Sequence, residues 1–124
     1  MNVKLTASME KYLMGIYLRG SEGKPIRTSE LVEFFNVAQG TVTNTVRRLK
    51  KEGFVIHHPY KGVRLTGKGL KIAFNVAKKY EVLERFLTDV LEVEKVLARQ
   101  LTIRIGHHIP DDVVVKIEKL LLKA

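Results

Sequence analysis

The chain has 124 residues and a hydrophobic content of 45%, which fits one globular domain or two small ones that share a long helix. Lysine and arginine outnumber aspartate and glutamate by 22 to 13, and the net charge of +9 favours a polyanionic partner, with nucleic acid ahead of an anionic membrane surface. Without cysteine there are no disulfides or thiolate sites, and without a secretory signal or an apolar run of about 20 residues we expect a cytoplasmic protein rather than a membrane protein.

Two helices are predicted in the first third of the chain. Ser8 is the predicted N-cap of the first helix, which residues 20–23, with their two glycines, should end. Lys11 and Met14 point away from the apolar stripe of this helix. Thr28 is predicted to cap a short second helix that is rich in leucine and phenylalanine.

The stretch from Ala38 to Gly53 is predicted to be a basic helix. At about 100° per residue, Val42, Val46 and Leu49 share one apolar stripe. The opposite stripe consists of Gly40, Asn44, Arg47, Arg48 and Lys51. A helix, a short turn and a second helix with a basic outer face form the order of a helix-turn-helix, whose second helix enters the major groove of DNA. An ordinary solvated surface helix is the alternative.

A hairpin is predicted directly after the basic helix. Residues 54–57 and 63–66 read as two short strands around the turn at residues 59–62, and this hairpin would be the wing of a winged helix. A basic tip suits the DNA backbone or the minor groove, and a plain solvated turn is the alternative for any single tip residue. His57 and His58 face opposite sides of a strand, so they are poorly placed to share one metal ion.

Three further helices are predicted. Thr66 should cap a long helix that reaches about Val90 and is apolar on two sides, so it needs two partners: its own winged domain, and a partner chain or a C-terminal unit. The other two helices should span Val93–Ile105 and Asp111–Lys123, with a break at residues 106–110. The last helix is apolar over much of its surface, which predicts a dimer interface or a second small core.

These elements predict a mostly α protein with an N-terminal winged helix-turn-helix at residues 1–68. A linking helix and a helical dimerisation domain should occupy residues 69–124. Asn44 suits a bidentate contact with adenine, threonines suit phosphate or thymine methyl groups, and the cations suit the backbone. The residues predicted to meet DNA are Arg27, Gln39, Gly40, Thr41, Thr43, Asn44, Arg47, Arg48, Lys51, Tyr60, Lys61 and Arg64.

With these motifs in their order, the chain resembles the diphtheria-toxin-repressor and manganese-transport-regulator family of metal-dependent repressors. The resemblance runs from about residue 7 to 122 and is carried by residues 8–13, 16–17, 40–43, 46, 60–62, 65–66, 69, 83–87 and 107–108. It implies a winged helix, a linking helix and a helical domain that dimerises and holds one or two divalent ions. The chain looks like the shorter type of member, without the SH3-like domain that some members carry.

The metal site is where the sequence departs from that family. The positions that match family metal-site positions hold Lys11, Met14, Tyr80, Glu84, Arg99, Ile103, Gly106 and His107. Among them, Glu84 and His107 keep ligand chemistry, whereas Arg99 replaces another ligand. Manganese or ferrous iron needs several oxygen and imidazole donors. We therefore predict that the divalent-metal switch is lost and that no cofactor is bound.

Several alternatives stay open at the sequence level. Lys11 or Arg99, paired with Glu84, would stand in for the metal and tie the two domains together, or these cations are simply solvated. A relocated manganese or iron site at His107 and His108, or another effector, is a further alternative.

The predicted function is that of a homodimeric, sequence-specific transcriptional regulator that binds double-stranded DNA, most simply as a repressor. A general nucleoid or protein-interaction module is the alternative from another class. The sequence argues against an enzyme because it has no glycine-rich phosphate loop and no nucleophile arranged with a histidine. It does not identify a small-molecule effector.

Overall fold

The computed structural model describes residues 5–20 and 23–123, which form six α-helices and one two-stranded hairpin. The chain divides into two units, Met1–Phe74 and Asn75–Ala124. The helices and strands in chain order are α1 Ala7–Arg19, α2 Thr28–Phe35, α3 Gln39–Lys51, β1 Val55–His58, β2 Gly62–Leu65, α4 Gly67–Arg85, α5 Lys95–Ile105 and α6 Asp111–Lys123. No helix of these residues is both long and apolar enough to cross a membrane.

Helices α1, α2 and α3 and the hairpin all contribute to one continuous hydrophobic core in the first unit. The predicted apolar stripe of α3 is confirmed, because Val42, Val46 and Leu49 are all buried. Leu13 of α1 and Leu31 of α2 are completely buried with them. Burying one side of α3 in this way leaves its opposite side exposed, and that side carries the polar and cationic residues.

Two of the predicted helix caps are wrong. The cap of α1 is Thr6 rather than Ser8, because Thr6 has extended backbone and its hydroxyl accepts a hydrogen bond from the Met9 N–H at 3.1 Å. Helix α2 has Arg27 as its N-cap residue without a side-chain hydrogen bond, so Thr28 is its first helical residue. Helix α1 ends at the predicted place with Gly20 as its C-cap, while Ser21 and Glu22 lie outside the described residues.

The start of α4 agrees with the prediction. Thr66 accepts a hydrogen bond from the Gly69 N–H at 3.0 Å and donates one to the Gly53 carbonyl at 2.7 Å. This hydroxyl therefore caps α4 and also joins it to the end of the α3 segment. A side chain at Gly69 would collide with the carbonyl of Phe54, so the helix can approach the core this closely only with glycine there.

The hairpin forms one residue away from its predicted bounds. Its strands pair antiparallel, from Val55 opposite Leu65 to His58 opposite Gly62, because Phe54 is drawn into the core and leaves the strand. Ile26 adds a short bridge to Val63, with N–H to carbonyl distances of 2.8 and 2.7 Å, that was not predicted. Gly62 has a φ of +119° and faces the Ile26 backbone so closely that no side chain fits.

The second unit departs from the predicted helix bounds in two places. The α-helix α4 ends at Arg85, and the chain continues as a π-helical turn over Phe86–Val90. The helical segment therefore ends near Val90 as predicted, but its last turn is π-helical rather than α-helical. Helix α5 begins at Lys95 rather than Val93, because the Glu94 carboxylate accepts the N–H groups of the first turn at 3.1 Å. The predicted bounds of α6 are confirmed, and a short 3-10 turn, Gly106–His108, lies between α5 and α6.

A buried hydroxyl in the first unit yields a testable pH dependence. Tyr12 stacks on Phe35 with ring centroids 4.4 Å apart, and its hydroxyl is buried without a hydrogen-bond partner of ordinary geometry. Burial raises the pKa of Tyr12, and the neighbouring Thr45 side chain offsets part of that rise. The unfolded chain therefore releases this proton first, so wild-type stability falls as the pH rises above about 10, the ordinary tyrosine pKa.

The substitution Tyr12→Phe is expected to leave the free energy of unfolding at neutral pH unchanged or to raise it by about 1 kcal/mol, because the buried hydroxyl that it removes makes no hydrogen bond of ordinary geometry. Above the ordinary tyrosine pKa, the wild type should lose stability faster than the variant. Urea unfolding of both proteins across this pH range measures the difference. Parallel curves would mean that the hydroxyl does not ionise with unfolding.

Candidate nucleic-acid interface

The outer face of α3 presents all of the residues that the sequence singled out on this helix. They are Gln39, Gly40, Thr41, Thr43, Asn44, Arg47, Arg48 and Lys51, and each is exposed. The tight turn before the helix passes through Asn36, whose left-handed backbone with φ of 53° asparagine tolerates. A polar first turn and a cationic second half thus share one free surface.

Two hydrogen bonds within α3 hold its polar side chains. The Gln39 amide donates to the Thr43 hydroxyl at 3.3 Å, and the Arg47 guanidinium donates to the Asn44 side-chain oxygen at 3.5 Å. The Asn44 oxygen keeps a second lone pair and its amide nitrogen keeps both hydrogens. This arrangement leaves Asn44 able to accept from and donate to the edge of one adenine.

The hairpin tip extends away from the core. Tyr60 is 99% exposed with a φ of 67°, and Lys61 beside it is also exposed. Arg64 lies opposite Ile56 on the outer face of the hairpin and is exposed. The predicted hairpin residues therefore lie on the surface of the first unit, where they are free to contact a ligand.

A polar cavity of about 270 Å³ joins the hairpin to the start of α2. Arg27 and Tyr60, which the sequence analysis predicted separately as DNA contacts, both line this cavity. The lining also includes Thr28, Ser29 and His57, which the sequence analysis did not propose for binding. Ser29 could have been proposed because it lies in the first turn of α2, whose N-cap residue makes no side-chain hydrogen bond.

The positions that match family ligands fall in both units. In the first, Lys11 is exposed and Met14 half-buried on α1. In the second, Tyr80 is buried against Gly106, and a Cβ added at Gly106 would lie 2.7 Å from a Tyr80 ring carbon. His107 is half-buried beside them along the chain.

An ion pair occupies two more of these positions. Arg99 donates to the Glu84 carboxylate at 3.4 Å, with side-chain exposures of 63% and 30%. Of the two pairings considered for Glu84, the one with Arg99 is present, and because both residues lie in the second unit it does not tie that unit to the first. Ile103 is exposed. Within residues 5–20 and 23–123, no three histidine, aspartate or glutamate side chains are grouped closely enough to share a metal ion.

Comparison with known proteins matches almost the whole chain to two domain models of one family. The N-terminal DNA-binding domain of iron-dependent repressors matches residues 4–63, and their metal-binding and dimerisation domain matches residues 66–123. The chain belongs to the iron-dependent repressor family. The resemblance noted in the sequence is thereby confirmed, as are the winged-helix fold and a DNA-binding, dimeric architecture.

Individual relatives support the same assignment. An uncharacterised HTH-type transcriptional regulator of Methanocaldococcus jannaschii is 30% identical over 120 residues, which are 96% of each chain. The HTH-type transcriptional regulator MntR of Geobacillus kaustophilus is 32% identical over 116 residues, or 94% of this chain and 82% of that protein. The solved manganese regulator SloR has a TM-score of 0.83 at 25% identity, covering 97% of this chain and 56% of SloR.

As a member of the iron-dependent repressor family, the protein is a DNA-binding transcriptional regulator and not an enzyme. Its partners are DNA and a second copy of the chain. The second unit has apolar surface available for that copy, because Leu91, Leu97, Leu120 and Leu122 are exposed in the single chain.

The family's second domain is described as metal-binding, and at the positions that the sequence resemblance assigns to metal, few of the side chains present are metal donors. Gly106 has no side chain, and the Tyr80 ring lies in the space where a side chain at that position would begin. Arg99 places a fixed cation on Glu84, the one carboxylate among the matching positions of the second unit. Manganese and iron need several oxygen and imidazole donors, and one histidine with a cation-bound glutamate falls short of that.

Proposed function

We propose that this regulator binds a near-palindromic operator as a cytoplasmic homodimer and does so without a divalent metal. Two copies of α3 would enter successive major grooves about one helical turn apart, as helix-turn-helix dimers do. Asn44 would read a base, while Arg47, Arg48 and Lys51 would hold the DNA backbone. The hairpin tip and Arg27 would add contacts beside the major groove.

The packing of Tyr80 on Gly106 carries the metal-independent part of this proposal. The aromatic ring fills a place from which a family ligand would extend, and it is almost fully buried there. An aromatic ring packed against a glycine needs no ion to hold it, since burial itself stabilises the contact. The Glu84–Arg99 pair supports the same conclusion, because it neutralises the carboxylate without a metal, although an exposed pair adds at most about 1 kcal/mol to stability.

We expect operator affinity to be the same, within about twofold, with a chelator and with added manganese or ferrous iron. The measurement is fluorescence anisotropy on operator DNA that has been selected from a random pool in both conditions. The MntR of Geobacillus kaustophilus serves as the comparison protein. A loss of about tenfold or more in chelator, restored by either metal, would refute metal independence.

The alternative is a metal-responsive repressor with a reduced or relocated site, and the names of several relatives favour it. One solved relative is a manganese-dependent transcriptional repressor in complex with manganese. His107 and His108 would be the residues of such a site, with their ring centroids 5.5 Å apart. Replacing both histidines with glutamine should abolish any metal response under this alternative and should change nothing under the proposal.

A further inference from the structure

A second cavity, distinct from the one at the hairpin tip, lies in the first unit and has a volume of about 410 Å³. The end of α1 contributes Ile16 and Tyr17, strand β2 contributes Arg64 and Leu65, and the first turn of α4 contributes Leu70. Lys24 lines it from the segment after α1. Cavities of about 300–1,000 Å³ are the usual size for small-molecule sites.

The larger part of this cavity is apolar. Ile16 is buried and Leu65 is half-buried. Leu70 also lines the cavity and is 48% exposed, so it offers the most apolar surface of the three to a ligand. Tyr17 is held by an edge-on contact with Phe74, at 6.4 Å between ring centroids. Such a wall gains free energy when a hydrocarbon group covers it, at about 25 cal/mol for each Å² removed from water.

Two cations from distant parts of the sequence line the same cavity. Lys24 and Arg64 take part in none of the ion pairs formed by residues 5–20 and 23–123. Two cationic residues in one lining make the potential at this cavity positive, which favours an anionic ligand over an uncharged one. The lining thus combines a mainly apolar surface with two cationic residues.

We propose that this cavity binds a small amphipathic carboxylate, with its carboxylate on Lys24 and Arg64 and its hydrocarbon tail against Ile16, Leu65 and Leu70. The guanidinium of Arg64 suits a bidentate contact with a carboxylate. A nucleic-acid phosphate satisfies the two cations but leaves the apolar wall uncovered. An uncharged hydrocarbon covers the wall but leaves the two cations unpaired.

The test uses the full chain with octanoate as the probe, octanol as the uncharged control and inorganic phosphate as the control anion without a hydrocarbon tail. Titration calorimetry measures affinity, and amide chemical shifts locate the site. Octanoate should bind at least tenfold more tightly than either control, with shifts at Ile16, Tyr17, Leu65 and Leu70. The variants Arg64→Gln and Lys24→Gln should each weaken octanoate binding about tenfold.

Two further variants act as controls for charge and for shape. Lys71→Gln removes the same charge from an exposed position of α4 that does not line the cavity, and it should leave octanoate affinity unchanged. Leu70→Trp keeps every charge but fills the recess, and it should abolish binding.

Four results would each overturn the proposal. They are no octanoate binding at millimolar concentration, equal affinity for octanol or for phosphate, an equal loss in the Lys71→Gln variant, and shifts confined to the second unit. Equal affinity for phosphate would assign the two cations to the DNA backbone instead. Because every readout is free of DNA, these results are independent of the metal response of operator binding.

Discussion

Phe54→Ala is expected to lower the free energy of unfolding by about 3–5 kcal/mol, the usual cost of emptying a fully buried phenylalanine site. Phe54 is 1% exposed and is the largest of the fully buried side chains. Its N–H donates to the Leu49 carbonyl at 2.9 Å, and its carbonyl accepts the Thr66 N–H at 3.0 Å. Phe54 therefore lies where α3, the hairpin and the start of α4 meet, and these backbone hydrogen bonds oppose collapse of its surroundings into a cavity.

The matched control is Phe34→Ala, at a phenylalanine that is 44% exposed on α2. Phe34 contacts the Arg19 guanidinium at 5.2 Å and the Phe35 ring, so its removal should cost about 1 kcal/mol. Urea unfolding followed by circular dichroism measures both variants. Similar losses in the two would show that the hairpin junction is not the centre of this core.

Asn44→Ala is expected to reduce the preference for operator over random DNA by about tenfold to a hundredfold, because one bidentate base contact discriminates by about 1–3 kcal/mol. Lys51→Ala should weaken binding to both DNAs about equally and lower the slope of log affinity against log salt by about one. The two residues share the exposed face of α3, but only Asn44 has both a donor and an acceptor to offer a base.

Both variants have controls of the same residue type away from α3. Asn75→Ala on α4 and Lys95→Ala on α5 change exposed positions of the second unit. Neither should alter discrimination or the salt slope. Anisotropy titrations over a range of salt concentrations on both DNAs supply all the quantities. If Asn44→Ala weakened both DNAs to the same degree, the division between base reading and backbone contact would be wrong.

The recurrence of apolar and polar residues was enough to predict the helices and the exposed face of α3. A helix repeats every 3.6 residues, so the sides on which Val46 and Arg47 lie follow from local geometry alone. The cap at Thr66 is local in the same sense, because its hydroxyl accepts from an N–H only three residues away. The DNA contacts assigned to this face remain predictions.

Local rules were insufficient where two candidates were equally good nearby. Only Ser8 was predicted as the cap of α1, but threonine is also a good capping residue, and the extended backbone at Thr6 makes that residue the cap. The π-helical turn after Arg85 was also not predicted, because no residue pattern in the sequence indicated it. These errors involve only a few residues, but those residues determine where the helices begin and end.

By itself the sequence determined the order of the elements and the basic face of α3, because each depends on residue type and short spacing. Tertiary structure alone decided which residues meet: Ile26 bridges the hairpin, Arg27 reaches the cavity beside Tyr60, and Tyr80 packs on Gly106. Such contacts join segments that are far apart along the chain. They depend on how whole helices pack, which periodicity within one helix does not encode.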